Sequence, residues 1–150
     1  MYKRQLLPWL DLVLIDLKVM DPSLHQQMTG HDNEHIHANL RALVARKVPV
    51  EVRLPVVPGY NTSADNITAT AAFLHDLGLS KITLLPYNPL WEAKLPHLHT
   101  TRVPLQIPAP SESFYVALQH AFASEDVQAS RGPVGSVSYT HLTLPTSDLV

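Results

Sequence analysis

Apolar residues along the chain fall alternately into short runs and helical stripes. Leu10 to Leu17 is almost wholly apolar, broken by Asp11 and Asp16 and bounded by Pro8, Lys18 and Asp21. Such a run predicts a central parallel strand buried on both faces. Asp21-Pro22-Ser23 is a turn and helix-start signal, so a short helix is expected over Leu24 to Thr29, ended by Gly30. Asp32 or Asn33 can cap a second helix, in which Ile36, Leu40, Leu43 and Val44 recur at helical spacing through Arg46. Val50 to Val57 is Val-rich and strand-like, with Pro55 and Pro58 forcing its distal end out of a regular ladder. Thr62 or Ser63 caps a third helix carrying Ile67, Ala71, Leu74 and Leu77 on one face, and Gly78 ends it. Ser80 to Leu85 is a further short strand, followed by the loop Pro86-Tyr87-Asn88-Pro89. The stretch from Pro96 to Pro110 is Pro-rich and irregular, and Ser111 caps a last helix, Glu112 to Ala123.

Strand, helix, strand, helix, strand, helix is the order of parallel units joined by right-handed crossovers, which sets the fold class as α/β. Three parallel strand-helix units cannot close a barrel. They leave an open edge on the first strand and one bare sheet face, so the expectation is a partial, half β/α barrel lacking upstream strands. Working residues in such sheets stand at the C-terminal ends of strands and in the loops that follow. Asp16 and Lys18 on the first strand, Arg53 on the second, and Tyr87 and Asn88 after the third then form one polar, partly cationic rim. Arg as a planar fork and Lys as a mobile point charge suit a carboxylate, so a small anionic or zwitterionic ligand is expected. Alternation also sets Asp16 and Lys18 on one face within pairing reach, and a plain salt bridge at a strand end accounts for them equally well.

Composition narrows the chemistry. The net charge is -2, 16% of residues are charged, and no Lys/Arg run occurs, which argues against nucleic acid as a partner. No apolar run is long enough to cross a bilayer and nothing resembles a signal peptide, so no membrane association and a cytoplasmic location are expected. With no Cys, the chain itself cannot supply disulfides, thiolate zinc sites or iron–sulfur ligands. Nine His residues are present, with His31, His35 and His37 near a turn and His97 and His99 in the irregular stretch. None falls in an HExxH or His-plus-Cys pattern, and most of them read as exposed rather than as zinc ligands. His25, just after the first strand, is kept as a pocket or helix-docking candidate. GxSxG, GxGxxG and phosphate-loop patterns are all missing, which leaves hydrolase and nucleotide-phosphate readings unsupported. A cysteine-free hydrolase or isomerase would need Asp16, His25 and Arg53 as its acid/base site.

Both ends read as sequence foreign to the protein. Met1 to Gln5 matches the translation of a transposon adapter used in sequencing, and VSYTHLTLPT at Val137 to Thr146 matches the same adapter in the opposite direction. On this reading, residues 1–5 and 136–150 are adapter and genuine protein runs from about Leu6 to Gly135. Sequencing the source locus by another method and recovering the same two ends would sink it.

Five motifs occur in order: DLVLIDLKVMD (Asp11 to Asp21), LHQQMTGHDN (Leu24 to Asn33), NLRAL (Asn39 to Leu43), VRLPVVPGYN (Val52 to Asn61) and LLPYNPL (Leu84 to Leu90). Together they resemble the C-terminal half of the glycyl-radical-enzyme activating enzymes, the group that includes pyruvate formate-lyase activase. The resemblance is close from about Leu10 to Leu95 and looser to Ala129. It implies a radical S-adenosylmethionine fold, of which the half barrel is a part. It also implies an oxidoreductase in which a [4Fe-4S] cluster cleaves S-adenosylmethionine and a 5′-deoxyadenosyl radical takes a hydrogen atom from a glycine of a partner, the glycyl radical enzyme. An electron donor such as flavodoxin or ferredoxin is a second implied partner. The resemblance puts Lys18 on the S-adenosylmethionine carboxylate, with Asp16 beside it at a monovalent-cation site. It identifies Arg53 as the arginine before the VPG turn, and sets Asn88 where several members have His. The family's CxxxCxxC and GGE stretches lie upstream of everything present here. The chain alone is therefore expected to carry no catalytic residue, no cluster and no activity. The rival reading is a non-catalytic α/β module that binds a small carboxylate or a partner protein through the same rim.

Overall fold

The computed structural model describes residues 9–89, 97 and 104–133. The adapter-like ends at 1–5 and 136–150, His99, and much of the Pro96 to Pro110 stretch lie outside them. Chain order is β1 (Val13–Asp16), α1 (Pro22–Thr29), α2 (Glu34–Ala45), β2 (Val50–Pro55), α3 (Ala64–Asp76), β3 (Lys81–Leu85), α4 (Glu112–Ala123) and β4 (Gln128–Arg131). The four strands form one parallel sheet in the order β1-β2-β3-β4. Class and parallel order are those expected from the hydrophobic pattern.

Local chemistry sets the element ends. The Asp21 carboxylate accepts from the Leu24 amide to start α1, and Gly30 ends that helix in the left-handed region at φ 88°, where a Cβ is disfavoured. Of the two candidate caps for α3, Ser63 serves, accepting from the Asn66 amide, and Ser111 does the same for Phe114 in α4. Asn33 precedes α2 without making a side-chain cap bond. Instead Asp32 accepts from the Glu34 amide, which frees the Asn33 amide group for another task.

Side chains alternate across the sheet. One face carries Leu17, Val52, Leu54, Val56, Ile82 and Leu84, which form the core with Leu40 of α2, Ile67, Ala71 and Leu74 of α3, and Leu118 and Phe122 of α4. Burying these side chains at ~25 cal/mol per Å² is the main stabilising term. The opposite face, with Leu14, Asp16, Arg53 and Thr83, stays partly or fully exposed.

The structure differs from the pattern reading in two places. β1 is shorter than Leu10 to Leu17 and stands at the sheet edge, so Leu10, Leu12 and Leu14 are 42%, 49% and 48% exposed instead of buried on both faces. The second difference is β4, which has no counterpart in the three expected units. Its sequence, QASR, shows no apolar run, and it is a strand because its register with β3, Lys81↔Gln128 to Leu84↔Arg131, satisfies its backbone. Tyr115 secures this end. It is 1% exposed, its hydroxyl accepts from the Tyr87 amide at 3.0 Å, and the Arg131 guanidinium lies 4.3 Å above its ring while also pairing with Glu112.

Candidate functional site

Register brings Asp16, Arg53, Thr83 and Ser130 side by side across all four strands. Neighbours in register point the same way, so these side chains form one polar row on the open face. The Arg53 Nε and Nη2 both reach Asp16 Oδ1, at 2.9 and 2.7 Å, and Thr83 Oγ1 lies 3.4 Å from Ser130 Oγ. The Asp16–Arg53 pair is about one-third exposed on each side, which limits its direct worth to below about 1 kcal/mol. Its greater effect is on charge distribution. Lys18, one pleat beyond Asp16, is exposed, and among the described residues its ammonium has no ion-pair partner. Asp16 therefore neutralises Arg53, not Lys18.

A cleft of about 380 Å³ lies beside β1, lined by Leu14, Ile15, Asp16, Lys18, His25, Ile36, Asn39 and Arg53. Three of the four residues expected at the site share it. The fourth, Asn88, is exposed beyond β3 and is not part of the lining. His25 is 3% exposed; its Nδ1 lies 2.7 Å from the His31 carbonyl and 3.1 Å from Thr29 Oγ1. A carbonyl can only accept, so Nδ1 carries the proton. Nε2, the other ring nitrogen, has no partner among the described residues. The ring thus fastens α1 to the turn after it and forms part of the cleft wall.

Among the described residues no group of three or more His, Asp or Glu converges. His37 stacks on Phe73, ring centroids 4.6 Å apart, with Arg41 over the same ring. Burial, then the Arg41 charge, then His25 lower its pKa from the usual 6.5.

Sequence reasoning missed the groups that secure the loop after β1. Asn33 Nδ2 donates to the carbonyls of Val19 and Met20, at 2.8 and 2.9 Å. Asn66 Oδ1 accepts from the Met20 amide at 2.8 Å, and its Nδ2 donates to the carbonyls of Asn61 and Lys18 at 2.9 and 3.4 Å. Asn33 and Asn66 were readable only as a helix cap and a helical polar residue. No local pattern announces a bond spanning 46 residues of sequence.

No family model matches the chain. Over 90 residues it is 46% identical to the isethionate sulfite-lyase activating enzyme of Nitratidesulfovibrio vulgaris, covering 59% of this chain and 29% of that protein. Over 122 residues it is 31% identical to the pyruvate formate-lyase 2-activating enzyme of Escherichia coli, covering 81% of this chain and 42% of that one. Among solved structures it is similar to a domain of pyruvate-formate lyase-activating enzyme from Bacteroides vulgatus, with a TM-score of 0.67 and 27% identity over 87% of this chain and 72% of that chain. The chain thus spans less than half the length of these two curated relatives. Among the described residues, no helix is long and apolar enough to cross a membrane.

Proposed function

Because the chain belongs to the glycyl-radical-enzyme activating enzyme family, we propose that it is the S-adenosylmethionine-carboxylate side of the pocket in a cytoplasmic enzyme that installs a glycyl radical on a partner enzyme. One observation carries this reading. Just beyond the C-terminal end of β1, Lys18 has no ion-pair partner among the described residues, in a cleft where Arg53 is already neutralised by Asp16.

The residues present fit a carboxylate ligand. A flexible ammonium can follow a carboxylate as a point charge. The Asp16–Arg53 pair presents no net charge to repel it, and in this reading Asp16 lies beside the carboxylate at a monovalent-cation site. Asn88, after β3, completes the proposed set. When bound, S-adenosylmethionine supplies the hydrogen-abstracting chemistry, and this chain's residues bind it, orient it and wall off water. A [4Fe-4S] cluster does not fit these 150 residues, which contain no Cys. In this reading the cluster thiolates and the docking site for flavodoxin or ferredoxin belong to the part of the enzyme upstream.

The source locus provides the test. The reading frame upstream of Leu6 is expected to encode CxxxCxxC, and a frame without it leaves the non-catalytic module standing in its place. This chain on its own is expected to take up no iron and to release no 5′-deoxyadenosine from S-adenosylmethionine under reducing conditions. Release of that product from the purified chain would refute the assignment.

A further inference from the structure

Backbone pairing between β1 and β2 ends at the bond from the Leu17 amide to the Arg53 carbonyl, 2.8 Å. Lys18, Val19 and Met20 continue beyond it as a loop, and Val19 is only 2% exposed. Buried peptide groups beyond a ladder need other partners. Here side chains provide them: the carbonyls of Lys18, Val19 and Met20 and the Met20 amide are all bonded by Asn33 and Asn66.

Both asparagines are buried, at 2% and 8% exposure, and a third, Asn61, is at 0%. Asn61 Oδ1 accepts from the Val57 amide and its Nδ2 donates to the Pro55 carbonyl, while its own carbonyl accepts from Asn66 Nδ2. The orientation of each amide is fixed by its partners, since a backbone N–H needs an oxygen and a carbonyl needs an N–H. The result is a continuous brace from the end of β2, through Asn61 and Asn66, to the backbone of Lys18. Only a side chain with both an acceptor and two donors can take the place of Asn66. Asp keeps the bond to Met20 and loses both donations, and an apolar residue loses all three.

We propose that Asn66, supported by Asn33 and Asn61, is a positioning residue for Lys18: it fixes the backbone from which the ammonium enters the cleft, and so sets the affinity for the ligand carboxylate without touching it. The inference rests on the reading of Lys18 as the carboxylate-binding residue. A long side chain on an unbraced loop must be ordered at the moment of binding, and that cost comes out of affinity.

The experiment uses the intact enzyme encoded at the source locus and reads S-adenosylmethionine Kd by calorimetry, with hydrogen exchange at the Met20 amide alongside. Lys18→Met is expected to weaken binding, and Asn66→Ala to weaken it by roughly tenfold, the scale of one buried hydrogen-bonding group. Asn66→Asp, isosteric and still an acceptor for Met20, is expected to keep the Met20 amide protected and to give an intermediate Kd. If Asn66→Ala exchanges faster at Met20 or melts earlier but binds as tightly as the unaltered enzyme, the brace is structural only and the proposal is overturned. If Asn66→Ala does not fold, Asn66→Asp decides the matter, and a Kd equal to that of the unaltered enzyme overturns it. If Lys18→Met leaves Kd unchanged, the reading of Lys18 fails and the positioning role falls with it.

Discussion

His37 shows how one residue links packing to solution behaviour. It sits partly buried against Phe73 near the Arg41 charge, and both burial and that charge favour its neutral form. The unfolded chain, with an imidazole near 6.5, therefore binds this proton more readily than the folded one. The contribution is fully present above that value and is lost as pH falls through the lowered folded value. Urea midpoints measured from about pH 8 down to about pH 5 should fall on acidification, and His37→Gln should flatten the part of the slope due to this residue. An unchanged slope in that variant would assign the acid sensitivity to other groups. Residues differ in how far the sequence reveals them. Asp16, Lys18 and Arg53 were legible because strand alternation and strand ends fix where a charged side chain emerges. The partner of Asp16 was not, since pairing it with Arg53 instead of Lys18 depends on cross-strand register. Nor were Asn33 and Asn66, whose bonds reach 14 and 46 residues away.

At the scale of elements, the helices and β3 were read closely because caps and glycines are local signals. The strands at the two ends of the sheet were not. β1 has the composition of a fully buried strand and the position of an edge, and β4 has the composition of a loop and the pairing of a strand. Composition reports what a strand is made to pack against, whereas position reports what it packs against here. The mismatch at β1 has a measurable consequence. Leu14 on β1 and Leu12 just before it, each about half exposed, lie where β1 has no outer neighbour among the described residues, an arrangement that promotes edge-to-edge association. The chain alone is expected to self-associate in sedimentation velocity runs as its concentration rises. Replacing both leucines by Lys is expected to shift it towards monomer, and no shift would place the sticky surface elsewhere.

Over the whole molecule, Tyr115 joins the far end of the sheet, from the loop after β3 to β4, into one unit. One side chain contacts the loop after β3 through its hydroxyl, belongs to α4, and supports Arg131 of β4 on its ring. The loop after β3, α4 and β4 thus share one buried aromatic ring, and releasing any one of them exposes it. They should behave as a single foldon, a unit of partial unfolding with one opening free energy. In native-state hydrogen exchange, the amides of Tyr87, central α4 and β4 should converge on a common rate as denaturant is added, separately from those of α1 and α2. Tyr115→Leu should lower that shared rate barrier while leaving the N-terminal helices untouched, and unequal responses among the three segments would break the unit apart. A residue remote from the cleft thereby governs the opening of one end of the sheet, while β1, from which the loop bearing Lys18 extends, stands at the other.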